Sequence, residues 1–208
     1  MNKVHSNIEM AFDFNQNLIL EDDVALLRPL QPGDIENLVS FAENETEIWK
    51  YTSLPVIGRE NMTEYIRLAI ENRNRKTEFP FIVFDKRTKQ YAGSTRFYDI
   101  QLQNQTLQLG YTWYGERFHG TGLNKHCKML LLSFAFEQMG MERVEFRANN
   151  LNKHSIAAMK SIGCSVEGVL RRNMRNIDGT RRDSIILSIL KDEWVNGVKE
   201  RIRSQLIG

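Results

Sequence analysis

The chain has 208 residues, and its 28 Lys and Arg against 26 Asp and Glu leave a net charge of +2. That near balance gives no support for a nucleic-acid-binding surface, which shows as a basic excess or stripe, and no run approaches the ~18–20 apolar residues that span a bilayer. The two cysteines, Cys127 and Cys164, stand at no metal-ligand spacing from His or Cys, so no metal site can be read. The length fits one domain over 1–208 with a core that needs no staples. The first thirty residues hold no apolar segment behind a basic lead-in, so the expectation is a cytoplasmic protein with free thiols and no leader peptide.

Residues 17–20 and 24–30 read as short strands around the acidic turn Glu21-Asp22-Asp23, and Gln31-Pro32-Gly33-Asp34 breaks the second. A helix follows with Ile35, Leu38, Val39 and Ala42 on one face, and a second spans about 61–74 with Met62, Tyr65, Ile66, Leu68, Ala69 and Ile70. Between them lies the aromatic segment Ile48-Trp49-Lys50-Tyr51-Thr52. From Phe79 the period changes to two: 79–84, 91–100 and 106–114 read as consecutive antiparallel strands, with Leu107, Leu109, Tyr111 and Trp113 placed on one face of the third. The strongest helix covers 121–139, with Leu123, Cys127, Leu130, Leu131 and Phe134 at helical spacing and Gly140 as its stop. A strand over 143–148, a short helix over 155–162, and two strands over 164–172 and 181–190 around Asn176-Ile177-Asp178-Gly179 complete the pattern, followed by an amphipathic helical tail. The order αα, then βββ-α-β-α-ββ, is that of a mixed α/β layer.

Arg117-Phe118-His119-Gly120-Thr121-Gly122 lies where a strand turns into the strongest helix. A helix N-terminus offers unpaired N–H groups and a favourable dipole to an anion, and glycines let a ligand approach the backbone. Two phosphate motifs fail here. A Walker loop needs Lys and Ser or Thr after its second glycine, where this chain has Thr121-Gly122; a dinucleotide fingerprint needs a third glycine, where it has Lys125.

The remaining pattern, Arg-x-x-Gly-x-Gly on a strand-to-helix turn, resembles the GNAT superfamily of acyl-CoA-dependent N-acyltransferases. A second signature strengthens the resemblance: Asn152-Lys153-His154-Ser155, then Gly163-Cys164-Ser165-Val166-Glu167-Gly168-Val169-Leu170-Arg171, is similar to the form found in the RimJ/RimL ribosomal-protein acetyltransferase branch. The likeness covers about residues 24–190. It implies a mixed, mostly antiparallel central sheet with helices on both faces, and acetyl-CoA as co-substrate without a metal. It also implies a gap between 111–114 and 144–148 for the pantetheine arm. By the same resemblance Trp113, Tyr114, Arg117, Phe118, His119, Gly120, Thr121, Gly122, Leu123 and Asn124 would hold the cofactor. Asn152 would bond the pantetheine arm, and Ser155 would protonate the leaving thiolate.

The chain departs from the pattern twice. Met159 stands where many members carry a tyrosine acid, and Met174 where RimL-type enzymes carry an acidic base, which leaves Glu116, His119 and Asp183 as unassigned base candidates. These losses motivate a rival reading, an acyl-CoA-binding sensor or scaffold without catalysis. Trp49, Tyr51, Arg96 and Tyr98 are the candidate acceptor pocket, although core packing explains the aromatics equally well. Ser155 and Asn152 could each serve only as helix caps. The resemblance implies a small-molecule or peptide amine as acceptor, nucleic acid and membrane are not expected partners, and the apolar final strands leave room for a homodimer.

Overall fold

The computed structural model describes residues 12–206; residues 1–11, which enter the leader-peptide expectation, lie outside them. Eight strands form one sheet in the order β1-β2-β3-β4-β5-β6-β8-β7. They are β1 (Leu20–Glu21), β2 (Ala25–Pro29), β3 (Glu78–Asp85), β4 (Gln90–Gln101), β5 (Thr106–Tyr114), β6 (Arg143–Asn149), β7 (Ser165–Arg175) and β8 (Arg181–Leu190). Of the strand pairs among the described residues, β5–β6 alone is parallel. The helices are α1 (Ile35–Asn44), α2 (Arg59–Asn74), α3 (Leu123–Ser133), α4 (Lys153–Ser161), α5 (Lys191–Glu193) and α6 (Lys199–Ser204). The sequence elements therefore stand, with boundaries moved by a few residues.

Helix α1 is held to β2 by one buried carboxylate. Asp34, 3% exposed, receives both terminal nitrogens of Arg28 at 2.6 and 2.9 Å, the Gln31 amide at 2.9 Å and the Asn37 side chain at 2.9 Å. A bidentate, fully bonded pair of this kind fixes direction as well as position. The acidic turn between β1 and β2 is tied down similarly, Asp22 Oδ2 meeting His126 Nδ1 of α3 at 2.7 Å. Helix α3 runs on into a π-type turn, Phe134–Gln138, before Gly140 (φ 66°) ends it.

The strand register corrects one sequence expectation. Arg96 pairs with Gly110 and Ser94 with Trp113, so β5 carries one extra residue opposite Thr95. Tyr111 sits in that bulge with φ 49°, a left-handed conformation that tyrosine adopts only under constraint. The bulge inverts the alternation. Trp113 turns away from the Leu107–Leu109 side and packs on Phe41 and Trp49 at 5.7 and 4.6 Å between ring centroids. Strict alternation thus fails at Tyr111, because an inserted residue leaves no trace in a hydrophobic pattern.

Carried across the ladder, the register divides the two faces by chemistry. Phe97, Leu107, Leu109, Val144, Phe146, Leu187 and Ile189 face α3 and its π turn and are buried. Arg96, Tyr98, Gln108, Gly110, Glu145, Arg147, Asn149, Ser184 and Arg182 share the other face, on the side of α1 and α2. One side is a packed core; the other is polar beyond β4.

Candidate active site

The parallel pair opens almost at once. β5 and β6 are paired only at Thr106–Arg143, Leu107–Val144 and Gln108–Glu145. From Leu109 to Tyr114 the edge of β5 facing β6 has no strand against it, and β6 continues with β8 up to Asn149–Ser184. The result is a slot between diverging strands, whose β5 side leads into the turn before α3.

That turn is bare. Gly120 (φ 73°) and Gly122 (φ 86°) both take left-handed angles, and a methyl group built on either would meet nothing within 4 Å. Leu123 N–H leans on Thr121 Oγ1 at 3.4 Å, and the amides of Lys125 and His126 return to the Gly122 carbonyl. Among the described residues, the amides of Gly120, Thr121, Gly122 and Asn124 find no partner. Four free N–H groups at the head of a helix make an anion cradle. Side chains brace it from behind: Thr121 Oγ1 donates to the Phe118 carbonyl at 2.8 Å, His119 Nε2 meets the Tyr114 carbonyl at 2.9 Å, and Tyr114 Oη donates to Asn124 Oδ1 at 3.3 Å. Arg117 is exposed over the buried Phe118 ring. A residue the sequence reading missed also belongs here. Arg87, from the β3–β4 turn, donates to the Thr121 carbonyl at 3.0 Å while Asp85 holds its other nitrogens, which adds a cation beside the cradle.

Beneath the slot lies a second missed residue, Lys128 of α3. It is 5% exposed, and its ammonium donates to Thr112 Oγ1 at 3.1 Å. Thr112 Oγ1 lies 2.7 Å from Thr95 Oγ1, which reaches the Gly110 carbonyl at 3.4 Å, so the chain of donors ends on the bulge itself. No carboxylate of the described residues pairs with Lys128, and burial brings its pKa down to about 8. Cys127 and Cys164 lie close by, and burial pushes both thiols up to about 12, far from a nucleophilic thiolate at neutral pH.

Across the open end of the slot from the turn, where the His119 and His154 rings lie 5.9 Å apart, Asn152 caps α4 by accepting the Ser155 N–H at 3.0 Å. The cap is therefore Asn152, and Ser155 gives its amide to it; Ser155 is half-buried and its hydroxyl takes no part in capping. Met159 is buried in the core.

The acceptor candidates divide. Trp49 is 5% exposed, donates Nε1 to the Phe41 carbonyl and belongs to the core, because the bulge turns Trp113 onto it. Trp113 and Tyr114 are likewise buried, so they line the slot by backbone alone. Arg96 and Tyr98 do meet across the polar face, through Tyr111, whereas Tyr51 joins by its backbone carbonyl. The Arg96 guanidinium lies 4.2 Å from the Tyr111 ring centroid and 4.7 Å from that of Tyr65, with Glu78 at 2.7 Å. Tyr98 and Tyr111 rings are 5.0 Å apart, and burial raises both phenols above the ordinary range. Arg182 of β8 joins them by donating to the Tyr51 carbonyl at 3.3 Å. Of the base candidates, Asp183 accepts the Arg172 amide at 2.7 Å, His119 is committed to the Tyr114 carbonyl, and Glu116 is exposed with its amide on Glu45. An open depression of about 730 Å³, lined by Val169, Leu170, Arg171, Arg172 and Asp183, lies on the adjoining β7–β8 hairpin.

Comparison with known proteins agrees with this geometry. Residues 25–165 match the family description Acetyltransferase (GNAT) domain. YjcK of Bacillus subtilis (strain 168), named a probable N-acetyltransferase, is 23% identical over 184 residues, covering 84% of this chain and 98% of YjcK. YdaF of the same organism, a candidate ribosomal N-acetyltransferase, is 29% identical over 103 residues, 50% of this chain and 55% of YdaF; the match thus spans about half the length of that relative. Among solved structures, Mycobacterium smegmatis RimJ in complex with CoA-disulfide superposes with a TM-score of 0.75 at 17% identity, covering 90% of this chain and 93% of that one, a likeness of fold.

Proposed function

Because the chain belongs to the GNAT family of acetyl-CoA-dependent N-acetyltransferases, we propose that its slot and turn hold acetyl-CoA while a primary amine attacks the thioester directly in a ternary complex. The observation that carries this reading is the opening of β5–β6 after Gln108, directly toward a helix head whose amides at Gly120, Thr121, Gly122 and Asn124 are unpaired. The diphosphate of coenzyme A fits those donors, with Arg87 and Arg117 as flanking cations. The extended pantetheine arm fits the slot, where the unpaired edge of β5 offers it the hydrogen bonds of a missing strand, and the side-chain amide N–H₂ of Asn152 remains free to donate.

In the reaction a C–N bond forms and the C–S bond breaks. The amine loses a proton, and the departing sulfur gains one. Ser155, whose hydroxyl is free of the cap, is the group we assign to donate toward that sulfur. No acyl-enzyme is needed, since holding both substrates supplies much of the acceleration, and the two buried neutral thiols are unsuited to form one. The polar face around Tyr111 is the acceptor side. It carries the guanidiniums of Arg96 and Arg182, which weighs against a polyamine.

The test is thermal stabilisation by acetyl-CoA together with release of free coenzyme A thiol when primary amines are added. A rise in unfolding temperature followed by amine-dependent thiol release is expected. No stabilisation at millimolar acetyl-CoA would overturn the reading, and stabilisation without thiol release would leave a binding protein.

A further inference from the structure

Arg182 has no role in the chemistry assigned above, and it is an expensive residue to place where it stands. It is 9% exposed, its one hydrogen bond goes to the Tyr51 carbonyl, and its Nε is buried without a partner. No carboxylate among the described residues pairs with it. Its sequence neighbour Asp183 points its Oδ1 at the Arg172 amide instead, and Glu145 serves Arg143 and Arg147. Arg96, 2% exposed, adds a second guanidinium on the same face, with only Glu78 to balance it and with Nε and Nη2 unpartnered. Of these two buried cations, Arg96 has its carboxylate and Arg182 has none among the described residues. Burying an unpaired charge destabilises a fold, and a guanidinium's planar fork is shaped to receive a carboxylate.

The position of this excess charge is informative. The β6–β8 ladder ends at Asn149–Ser184, so Arg182 stands on the part of β8 that projects past β6. Tyr111, whose ring covers Arg96, is the bulge residue within the unpaired edge of β5. The two residues therefore flank the slot on the acceptor side. Resting on the acetyl-transfer reading above, we propose that the acceptor is a small amine that also carries a carboxylate, an amino-acid-like molecule whose anionic group is bound by Arg182, with Arg96 supplying positive charge behind it.

A carboxylate could reach this place from the acceptor or from a dicarboxylic acyl donor, and the experiment separates the two. With coenzyme A saturating, calorimetry on the full chain compares N-acetylglycine with N-acetylglycinamide, which differ in the charge of one terminus. The acid is expected to bind at least about tenfold more tightly. That preference falls within about threefold in Arg182→Gln and partly returns in Arg182→Lys, thermal unfolding confirming that each variant folds. Equal affinity, or no binding of either probe, overturns the proposal. In turnover, thiol release from acetyl-CoA compares lysine with cadaverine and tyrosine with tyramine, where the carboxylated member of each pair is expected to have the higher kcat/KM. Equal rates within the pairs overturn the acceptor class and leave acetyl transfer standing. A preference seen only as faster use of succinyl-CoA with neutral amines assigns the charge to the donor and also overturns it. Acid-selective probe binding without thiol release from any amine supports the anion site and counts against acetyl transfer.

Discussion

The two ends of the slot are built from different materials. The donor end is backbone: eight consecutive residues, 117–124, whose free amides and two left-handed glycines form the cradle from one continuous segment. The acceptor end is side chains. It joins Glu78, Arg96, Tyr98, Tyr111, Tyr51 and Arg182, and the contact that closes it, Arg182 to the Tyr51 carbonyl, joins residues 131 positions apart. A backbone cradle suits a ligand common to a whole family, because its geometry does not depend on which side chains surround it. A surface assembled from distant side chains can change with single substitutions, which suits the partner that differs between relatives.

The comparison breaks first, and most visibly, at Gly122. A valine there must adopt φ 86° and projects its side chain into the open space over the cradle. Acetyl-CoA affinity is expected to fall by about 100-fold, roughly 2.7 kcal/mol, by calorimetry. The fold is expected to lose only the ~1–2 kcal/mol of a left-handed β-branched residue. A variant that binds acetyl-CoA as the parent does would show that the diphosphate lies elsewhere.

Lys128 tests the floor between the two ends. Burial holds its folded pKa near 8, below the ordinary 10.5. Below about pH 8 the full cost of its buried charge is present. Between about 8 and 10.5 the unfolded chain binds more protons than the native one, so this residue makes stability rise with pH across that window. Lys128→Met is expected to raise the unfolding temperature at pH 7, by on the order of 1–3 kcal/mol of stability, and to flatten the rise between pH 8 and 10.5. A Met variant less stable than the parent at pH 7 would mean that the bond to Thr112 outweighs the buried charge.

These two sites also mark how far the sequence could be read. The cradle was legible because it is local: the glycines, the preceding strand and the helix period stand side by side in the chain. The slot was legible only through resemblance, since nothing within 106–114 or 143–149 says that two strands will part. The acceptor end was half visible. Arg96, Tyr98 and Tyr51 stand out as an aromatic and basic set, but whether Trp49 belongs to the pocket or the core is not legible until the bulge at Tyr111 turns Trp113 inward to meet it. Arg182, Arg87 and Lys128 carry no local signal. Each is an ordinary basic residue until the register of β8, the β3–β4 turn or the packing of α3 buries it or places it at the site.

Ser155 comes next in size. Its hydroxyl takes no part in the cap, so Ser155→Ala should leave the unfolding temperature unchanged while kcat for thiol release falls by about 10–100-fold, the usual scale for loss of one positioned proton donor. An undiminished kcat would pass the proton to water or another group. A lowered unfolding temperature would show that the side chain supports α4 after all.

The smallest effect is expected at the neighbouring cap, and it separates structure from chemistry at this end of the slot. Asn152 Oδ1 is occupied by the Ser155 N–H, so Asn152→Ala should cost about 1 kcal/mol of stability. If its amide N–H₂ also serves the pantetheine arm, KM for acetyl-CoA rises in the same variant. Asn152→Asp then discriminates between the two roles. An aspartate keeps the cap and, at the head of α4, favours the helix dipole, but it has no N–H₂ to donate. Restored stability with a KM still raised is the expected outcome for a residue serving both, measured by thermal unfolding and by steady-state thiol release. Full recovery of KM in the aspartate variant would reduce Asn152 to a helix cap and leave the unpaired edge of β5 as the arm's principal partner.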